Sequence, residues 1–352
     1  MLVIISSLNR GVAYLNSEQK KAIKSTILEC RGILEKDIEQ VLINLGIYIG
    51  EEWIDINNLT NLNEEQRKIR ENIEQVIEKL GNGGYEKNKA VSEYIKEVAY
   101  TYLNRIAALR VLEARGLIDE ILISRPENGD KSFINSRFYE VAREYCKYSM
   151  DAGLAYIINL MFEEIGEEIK LLFSTEDEYS FITPSSNGLL AIIKLLCTDI
   201  DEESWKQDEI IGWIYQYFND IEKGDVFDRL YNKKQKIKVE DIPAATQLFT
   251  PNWIVEWIVD NSLGCLWEEI KVGKREGKKV EEIKLLDPCC GSGHFLVKAY
   301  DLFYQMYIEE GMYSNEEIPF KILENNIHGI DIDLRAIQLT GLILFIKTKT
   351  CL

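Results

Sequence analysis

No stretch of the 352 residues stays apolar for the length a membrane-spanning helix needs. The opening MLVIISSL has neither a basic leading region nor a small-residue cleavage site, which argues against a secretory leader. The seven cysteines show no paired-spacing framework, as expected of a reduced, cytoplasmic protein rather than a disulfide scaffold. A basic excess is missing too: 41 Lys and Arg face 59 Asp and Glu, leaving a net charge of -18. Nucleic-acid affinity comes mainly from cations neutralising phosphates, so this chain offers no general nucleic-acid clamp. Two local basic clusters, NKKQKIK (Asn232 to Lys238) and KVGKREGKK (Lys271 to Lys279), read as solvated loops. No repeat period and no low-complexity segment is present. The hydrophobic content of 46% is that of a folded globular chain, and the length leaves room for two domains.

The first two-thirds reads as helix after helix. From Ser17, a candidate N-cap, Ile23, Ile27, Ile33, Leu34 and Ile38 recur at helical intervals, and the pattern stops at Gly46. Similar patterns run over Asn63–Leu80, Asn88–Arg115, Ser136–Met150, Ala152–Phe173 and Asn187–Leu196, with turn signals at GNGG (Gly81–Gly84) and RPENGD (Arg125–Asp130). This region predicts a helical domain over 1–240 and says nothing of chemistry. Near Asp241 the texture changes to alternating helix and strand signals, the mark of parallel α/β architecture over 241–352.

One stretch there, KLLDPCCGSGHFLVKAY (Lys284 to Tyr300), supplies a short apolar strand ending in an acid, a tight Gly-Ser-Gly turn and an amphipathic helix. That order places a ligand at the carboxyl end of the strand. A P-loop would need a Gly-Lys-Ser/Thr ending, which is missing. A dinucleotide site prefers a third glycine where Leu296 stands, and an acid nearer than Asp331. Zinc could recruit Cys289, Cys290 and His294. However, zinc-binding cysteine pairs are usually separated by two to four residues, and neighbours on an extended strand face opposite ways, so no metal is expected. Both cysteines read instead as small buried fillers beneath the loop.

S-adenosylmethionine remains. It offers a cationic ammonium, a sulfonium and a ribose diol, and its site wants carboxylates where a phosphate site wants N–H groups. Asp287 at the first strand end suits the ammonium. Asp331, in IHGIDID at the second strand end, suits the ribose, and Gly291 and Gly293 let the backbone come close without a Cβ. A further element, QLFTPNWIVEWIVDNSLGCLW, reads as a helix with Thr250 as N-cap and Pro251 at its first position.

Three segments, Phe249-Thr250-Pro251, DPCCGSGHFL (Asp287 to Leu296) and GIDID (Gly329 to Asp333), together resemble consecutive motifs of N6-adenine DNA methyltransferases. The wording IPAATQLFTPNWIVEWIVDNSLGCLW is most similar to the PglX-type enzymes of BREX phage-resistance systems. The resemblance is strong over Ile242–Leu352 and weaker upstream. It implies that Phe249, Thr250 and Pro251 line the methionine end of S-adenosylmethionine. Asp287 and the Gly291–Gly293 turn would hold its amino-acid portion, and Asp331 its ribose. Pro288, Ser292 and Phe295 of the same loop would complete the cofactor contacts. Asp333 reads as the N-cap of the closing helix. The implied fold is a mainly α amino-terminal domain followed by an incomplete α/β, class I (Rossmann-like) methyltransferase fold.

The family also needs an Asn/Asp-Pro-Pro-Tyr/Phe motif to grip the flipped adenine. No such tetrapeptide occurs in the 352 residues, so no catalytic residue is assigned. The expectation is a cofactor-binding portion of a longer adenine methyltransferase, or a truncated product, with DNA and other phage-defence proteins as partners. The alternative is an inactive module that binds S-adenosylmethionine or a partner protein.

Overall fold

The computed structural model describes residues 14–174, 177–236, 241–246 and 249–351. Among these the chain is mostly helical, with one two-stranded parallel sheet. The described residues form two compact units, one within 21–205 and the other within 206–351 together with 14–20. Residues 206–236, which the sequence groups with the helical domain, therefore cluster with the carboxy-terminal part. The physical reason is visible in the buried face of the Ile210–Phe218 helix, whose neighbours include the closing helix Leu334–Cys351.

The unit 21–205 is built around the helix Lys87–Ala114, buried on every side from Val98 onward. Such a helix must satisfy any polar side chain internally. Arg105 does so through the Leu172 and Ser174 carbonyls and the Ser180 hydroxyl, each at 2.8 Å. Glu113 accepts the backbone N–H groups of Ile121, Leu122 and Ile123 and lies 3.5 Å from Arg110. The patterns read as single helices over Ser136–Met150 and Ala152–Phe173 are each interrupted, at Ala142 and Ile169, where the backbone leaves helical angles. The first helix starts at Ser17, but its cap is Asn16. Asn16 accepts from the N–H groups of Glu18 and Gln19, and the Gln19 side chain accepts from the Asn16 N–H in return.

In the other unit, strand β1 (Leu285–Asp287) pairs in parallel with β2 (Ile327–Gly329), in the register Leu285 to Ile327, Leu286 to His328 and Asp287 to Gly329. The helix His294–Glu310 makes the crossover between them. Leu296, Ala299, Tyr300, Phe303, Met306 and Tyr307 on this helix are buried in a core shared with Val255, Val259 and Trp267. The helix Asn252–Val259 begins one residue later than the sequence suggests. Pro251 is its cap residue with no side-chain bond, and Thr250 lies outside it. Proline at the cap can still accept, and its carbonyl takes the Ile254 N–H at 2.9 Å.

The basic loop Lys271 to Lys279 is exposed, as expected, and three of its basic residues have acidic neighbours. Lys271 pairs with Glu268 and Glu309, Arg275 with Glu269, and Lys279 lies near Glu281. In the other cluster Lys233 pairs with Asp228, while residues 237 and 238 fall outside the described residues.

Asn326 is fully enclosed among these elements. It donates to the Val280 and Ile283 carbonyls at 2.8 Å each and accepts from the Tyr307 hydroxyl at 3.0 Å. Asn326→Leu fits the space but strands three polar groups, and is expected to cost about 3 kcal/mol. Urea unfolding of the two proteins checks this; a loss under about 0.5 kcal/mol would mean the three bonds contribute little.

Candidate cofactor site

The strand ends are joined beyond the formal ladder. The Ile330 N–H donates to the Asp287 carbonyl at 2.9 Å, and the Cys290 N–H donates to the Ile330 carbonyl at 3.0 Å. The two acidic loops are thus carried side by side. Asp331 sits two residues past β2, and its carboxylate accepts the Gly291 N–H and the Asp333 N–H, each at 2.9 Å. Asp287 accepts the Cys289 N–H at 3.0 Å through Oδ1, while its Oδ2 is buried without a hydrogen-bond partner.

A cavity of about 280 Å³ opens beside these loops. Phe249, Pro288, Gly291, Ser292 and Asp331 line it, as the sequence resemblance implies, and so do Cys289, Ile332 and Asp333. Its remaining wall comes from Gly212, Tyr215 and Gln216 on the Ile210–Phe218 helix, with Ile242 and Thr246. Among the described lining residues there are two carboxylates and no lysine or arginine. Asp333 is spoken for: it pairs with Arg335 at 3.0 Å, accepts the Tyr215 hydroxyl at 2.8 Å and accepts the Arg335 N–H. Despite burial, these bonds hold its carboxyl below the ordinary value. That last bond, to the second residue of the Leu334–Cys351 helix, is the capping role expected of it.

Other expected contacts fall elsewhere. Phe295 packs against the hydrophobic core, because one helical step from His294 turns it away from the loop face. Asp287, Thr250 and Pro251 are not among the lining residues; the Thr250 backbone lies against the His294 imidazole instead. The two glycines of the turn have different reasons. Gly291, at φ +53°, has open space where a Cβ would stand and lines the cavity. Gly293, at φ +84°, does not line it. A Cβ there would meet Thr340 at 3.0 Å, so this glycine serves the turn and the closing helix rather than a ligand. The cysteines also differ from expectation. Cys290 is buried, but Cys289 is exposed on the cavity rim, because both lie past β1 in the turn rather than on the strand.

Phe249 is the most tightly held wall. Its ring stacks on His294, with centroids 4.4 Å apart and planes 10° from parallel, and tilts against Trp213 at 4.8 Å. Its N–H donates to the Gln216 side-chain carbonyl at 3.0 Å. A Cβ on Gly212 would lie 2.1 Å from the Phe249 ring, so only glycine fits below it. Nothing local in IIGWIYQYF signals this wall, since the partner lies more than thirty residues away in sequence.

Comparison with known proteins bears on these same segments. Residues 266–351 match the family described as MmeI, DNA-methyltransferase domain, which takes in both acidic loops and starts beyond Phe249. The chain is 32% identical to the adenine-specific methyltransferase PglX of Lacticaseibacillus casei (strain Zhang), over 94% of this chain and 32% of that protein. It is 33% identical to the adenine-specific methyltransferase BrxX of Escherichia coli O9:H4 (strain HS), over 72% of this chain and 24% of that protein. A type II restriction enzyme and methyltransferase of Escherichia coli, RM.Eco57I, is 27% identical over 74% of this chain. The likeness to PglX-type adenine methyltransferases read from the three motifs is borne out. The chain spans about a third of the length of that PglX and less of BrxX.

Burial, and then the charge of Asp331, push the Asp287 carboxyl above its ordinary value of 3.8. A carboxyl raised in the folded state holds its proton more tightly folded than unfolded. Its contribution therefore favours folding at low pH and is lost as pH rises through the folded value. Asp287→Asn keeps an acceptor for the Cys289 N–H and removes that penalty. It is expected to raise the Tm of the ligand-free chain by about 2 °C at neutral pH, an advantage that shrinks on acidification. Thermal unfolding at pH 7 and below checks this; a lower Tm at pH 7 would contradict it.

Proposed function

We propose that this chain holds S-adenosylmethionine for an adenine-specific DNA methyltransferase, its β1–helix–β2 unit being part of a class I, Rossmann-like fold. The observation that carries the reading is the pair of strand-end acids: Asp331 lines the cavity, and Asp287, directly before the lining residue Pro288, keeps a buried oxygen without a partner. Burying an unsatisfied carboxylate oxygen is costly, and a cationic N–H donor is the ligand group that offsets it. The absence of lysine and arginine among the described lining residues disfavours a dinucleotide's phosphates. Bound there, S-adenosylmethionine would supply the methyl group to be transferred.

In this reading Asp287 receives the ammonium and Gly291 lets the loop backbone approach the amino-acid end. Asp331 has one hydrogen bond on each oxygen and lone pairs left over, so it can take the ribose hydroxyls while its backbone bonds fix its direction. Phe249 closes the methionine side with an apolar face. The relatives named above support adenine N6 in DNA as the acceptor, and BREX-type phage defence, on host DNA in the cytoplasm, as the setting. Among the described residues no helix is long and apolar enough to cross a membrane.

Isothermal titration of the chain with S-adenosylmethionine is the direct test, with NAD as the comparison ligand. Asp331→Ala is expected to weaken S-adenosylmethionine by about 1–3 kcal/mol, roughly five- to 150-fold, through unpaired ribose hydroxyls. Equal affinity in the variant would remove Asp331 from the site, and tighter NAD binding would overturn the cofactor assignment.

The 352 residues hold no Asn/Asp-Pro-Pro-Tyr/Phe tetrapeptide, so none of them is placed to align an adenine amine with the methyl group. With a net charge of -18 they also offer duplex DNA little attraction. The isolated chain is therefore expected to bind cofactor yet transfer no tritiated methyl to adenine-rich duplexes at low salt. Incorporation that Asp287→Ala abolishes would show that the catalytic groups lie within it. Failure to bind cofactor at all would favour the alternative, a protein-interaction module.

A further inference from the structure

Phe249 is gripped on several sides, and one of the groups that grip it, His294, is not among the cavity's lining residues. His294 lies flat against one face of the ring, and Trp213 leans on it at 48°. The imidazole also lies against the backbone of Thr250, the very next residue. Its Nδ1 is buried with no hydrogen-bond partner. From the opposite wall Gln216 takes the Phe249 N–H, and Gly212 leaves the ring its space.

We propose that His294 and Gln216 are positioning residues for Phe249, the aromatic wall of the cofactor cavity, His294 acting only through that ring and Gln216 lining the cavity as well. His294 is not among the cavity's lining residues, whereas Phe249 is. A histidine suits this task in its neutral form, since a flat imidazole can stack on an aromatic ring and donate one N–H edgewise. The neutral form is also the one this environment favours: burial brings the imidazole down to about 4, against the opposing influence of Asp208 and Glu256. Lys20 adds to the lowering. The inference rests on the cofactor reading above, and it names what fixes the aromatic wall of that site.

The test uses two readouts on the chain as it stands. In the ligand-free protein, the Phe249 amide is expected to exchange with solvent about tenfold faster in Gln216→Met and in His294→Ala than in the unaltered chain. By isothermal titration, S-adenosylmethionine is expected to bind about tenfold more weakly to either variant and to Phe249→Ala. The double variant Phe249→Ala/His294→Ala should bind no more weakly than Phe249→Ala alone, because a residue acting only through Phe249 has nothing left to hold. A merely structural role would not give that non-additivity. His294→Phe, which keeps a flat ring against Phe249, should bind close to the unaltered chain.

Unchanged exchange of the Phe249 amide, or additive losses in the double variant, would overturn the inference while leaving the cofactor site in place. If the unaltered chain binds no S-adenosylmethionine, the cofactor reading fails, and the inference fails with it even if the exchange data show a held loop. Thermal unfolding of each variant guards against global loss of fold. Gln216→Met, being close in shape, carries the exchange measurement if His294→Ala does not fold.

Discussion

The parallel pairing of β1 with β2 is the constraint from which the rest of the site follows. The ladder itself is three residues long on each strand. Two further backbone bonds, Ile330 to Asp287 and Cys290 to Ile330, extend the pairing into the loops. Short parallel pairs are weak alone and need a covered face. Here the helix His294–Glu310 supplies that cover, through Leu296, Ala299 and Phe303. The loops inherit rigidity from this core, and each presents its acid at the carboxyl edge. Asp331 then ties the arrangement together by accepting the Gly291 N–H from the neighbouring loop.

That arrangement sets charge against stability. Burial, and then the charge of Asp331, disfavour the ionisation of Asp287. The protein could relieve this by placing a lysine or arginine between them, and among the described lining residues it does not. Asp333, two residues on, shows the contrast: it has Arg335 and Tyr215 as partners and is depressed rather than raised. Three aspartates within one small region thus separate by environment: Asp333 is spent on structure, Asp331 lines the cavity with lone pairs to spare, and Asp287 keeps a buried oxygen without a partner at the strand end. Such uneven treatment of like groups is what a site for a cationic ligand requires.

The sequence made some of this legible because certain local patterns admit few readings. An apolar run ending in Asp, then Gly-Ser-Gly, then an amphipathic segment turns sharply at the strand end, so Gly291 and Asp331 line the cavity, while Asp287 ends the strand without lining it. The capping role of Asp333 was legible for the same reason, a short polar side chain directly before a long apolar helix. Facing is harder to read than order. Phe295 was grouped with the loop because it is adjacent in sequence, yet one helical step turns it into the core. Cys289 and Cys290 were paired as fillers, yet the turn separates them into rim and interior. Least legible was the wall from Gly212, Tyr215 and Gln216, where a glycine inside an aromatic helix gives no hint of the ring it must admit.

Gly212 also explains why the Ile210–Phe218 helix groups with the carboxy-terminal unit rather than with the helices before it. Glycine costs a helix interior roughly 1 kcal/mol relative to alanine. The return is the fit of the Phe249 ring, which a single methyl at this point would meet at 2.1 Å. The same helix gives Gln216 to the Phe249 backbone and Tyr215 to Asp333, so it touches both the aromatic side and the acidic side of the cavity. A helix lacking either bond could still bury its apolar face against the closing helix. With both, its rotation and its height along the axis are fixed relative to the two loops. The segment that looks in sequence like the last of a series of core helices is, by its contacts, the third side of the candidate cofactor site.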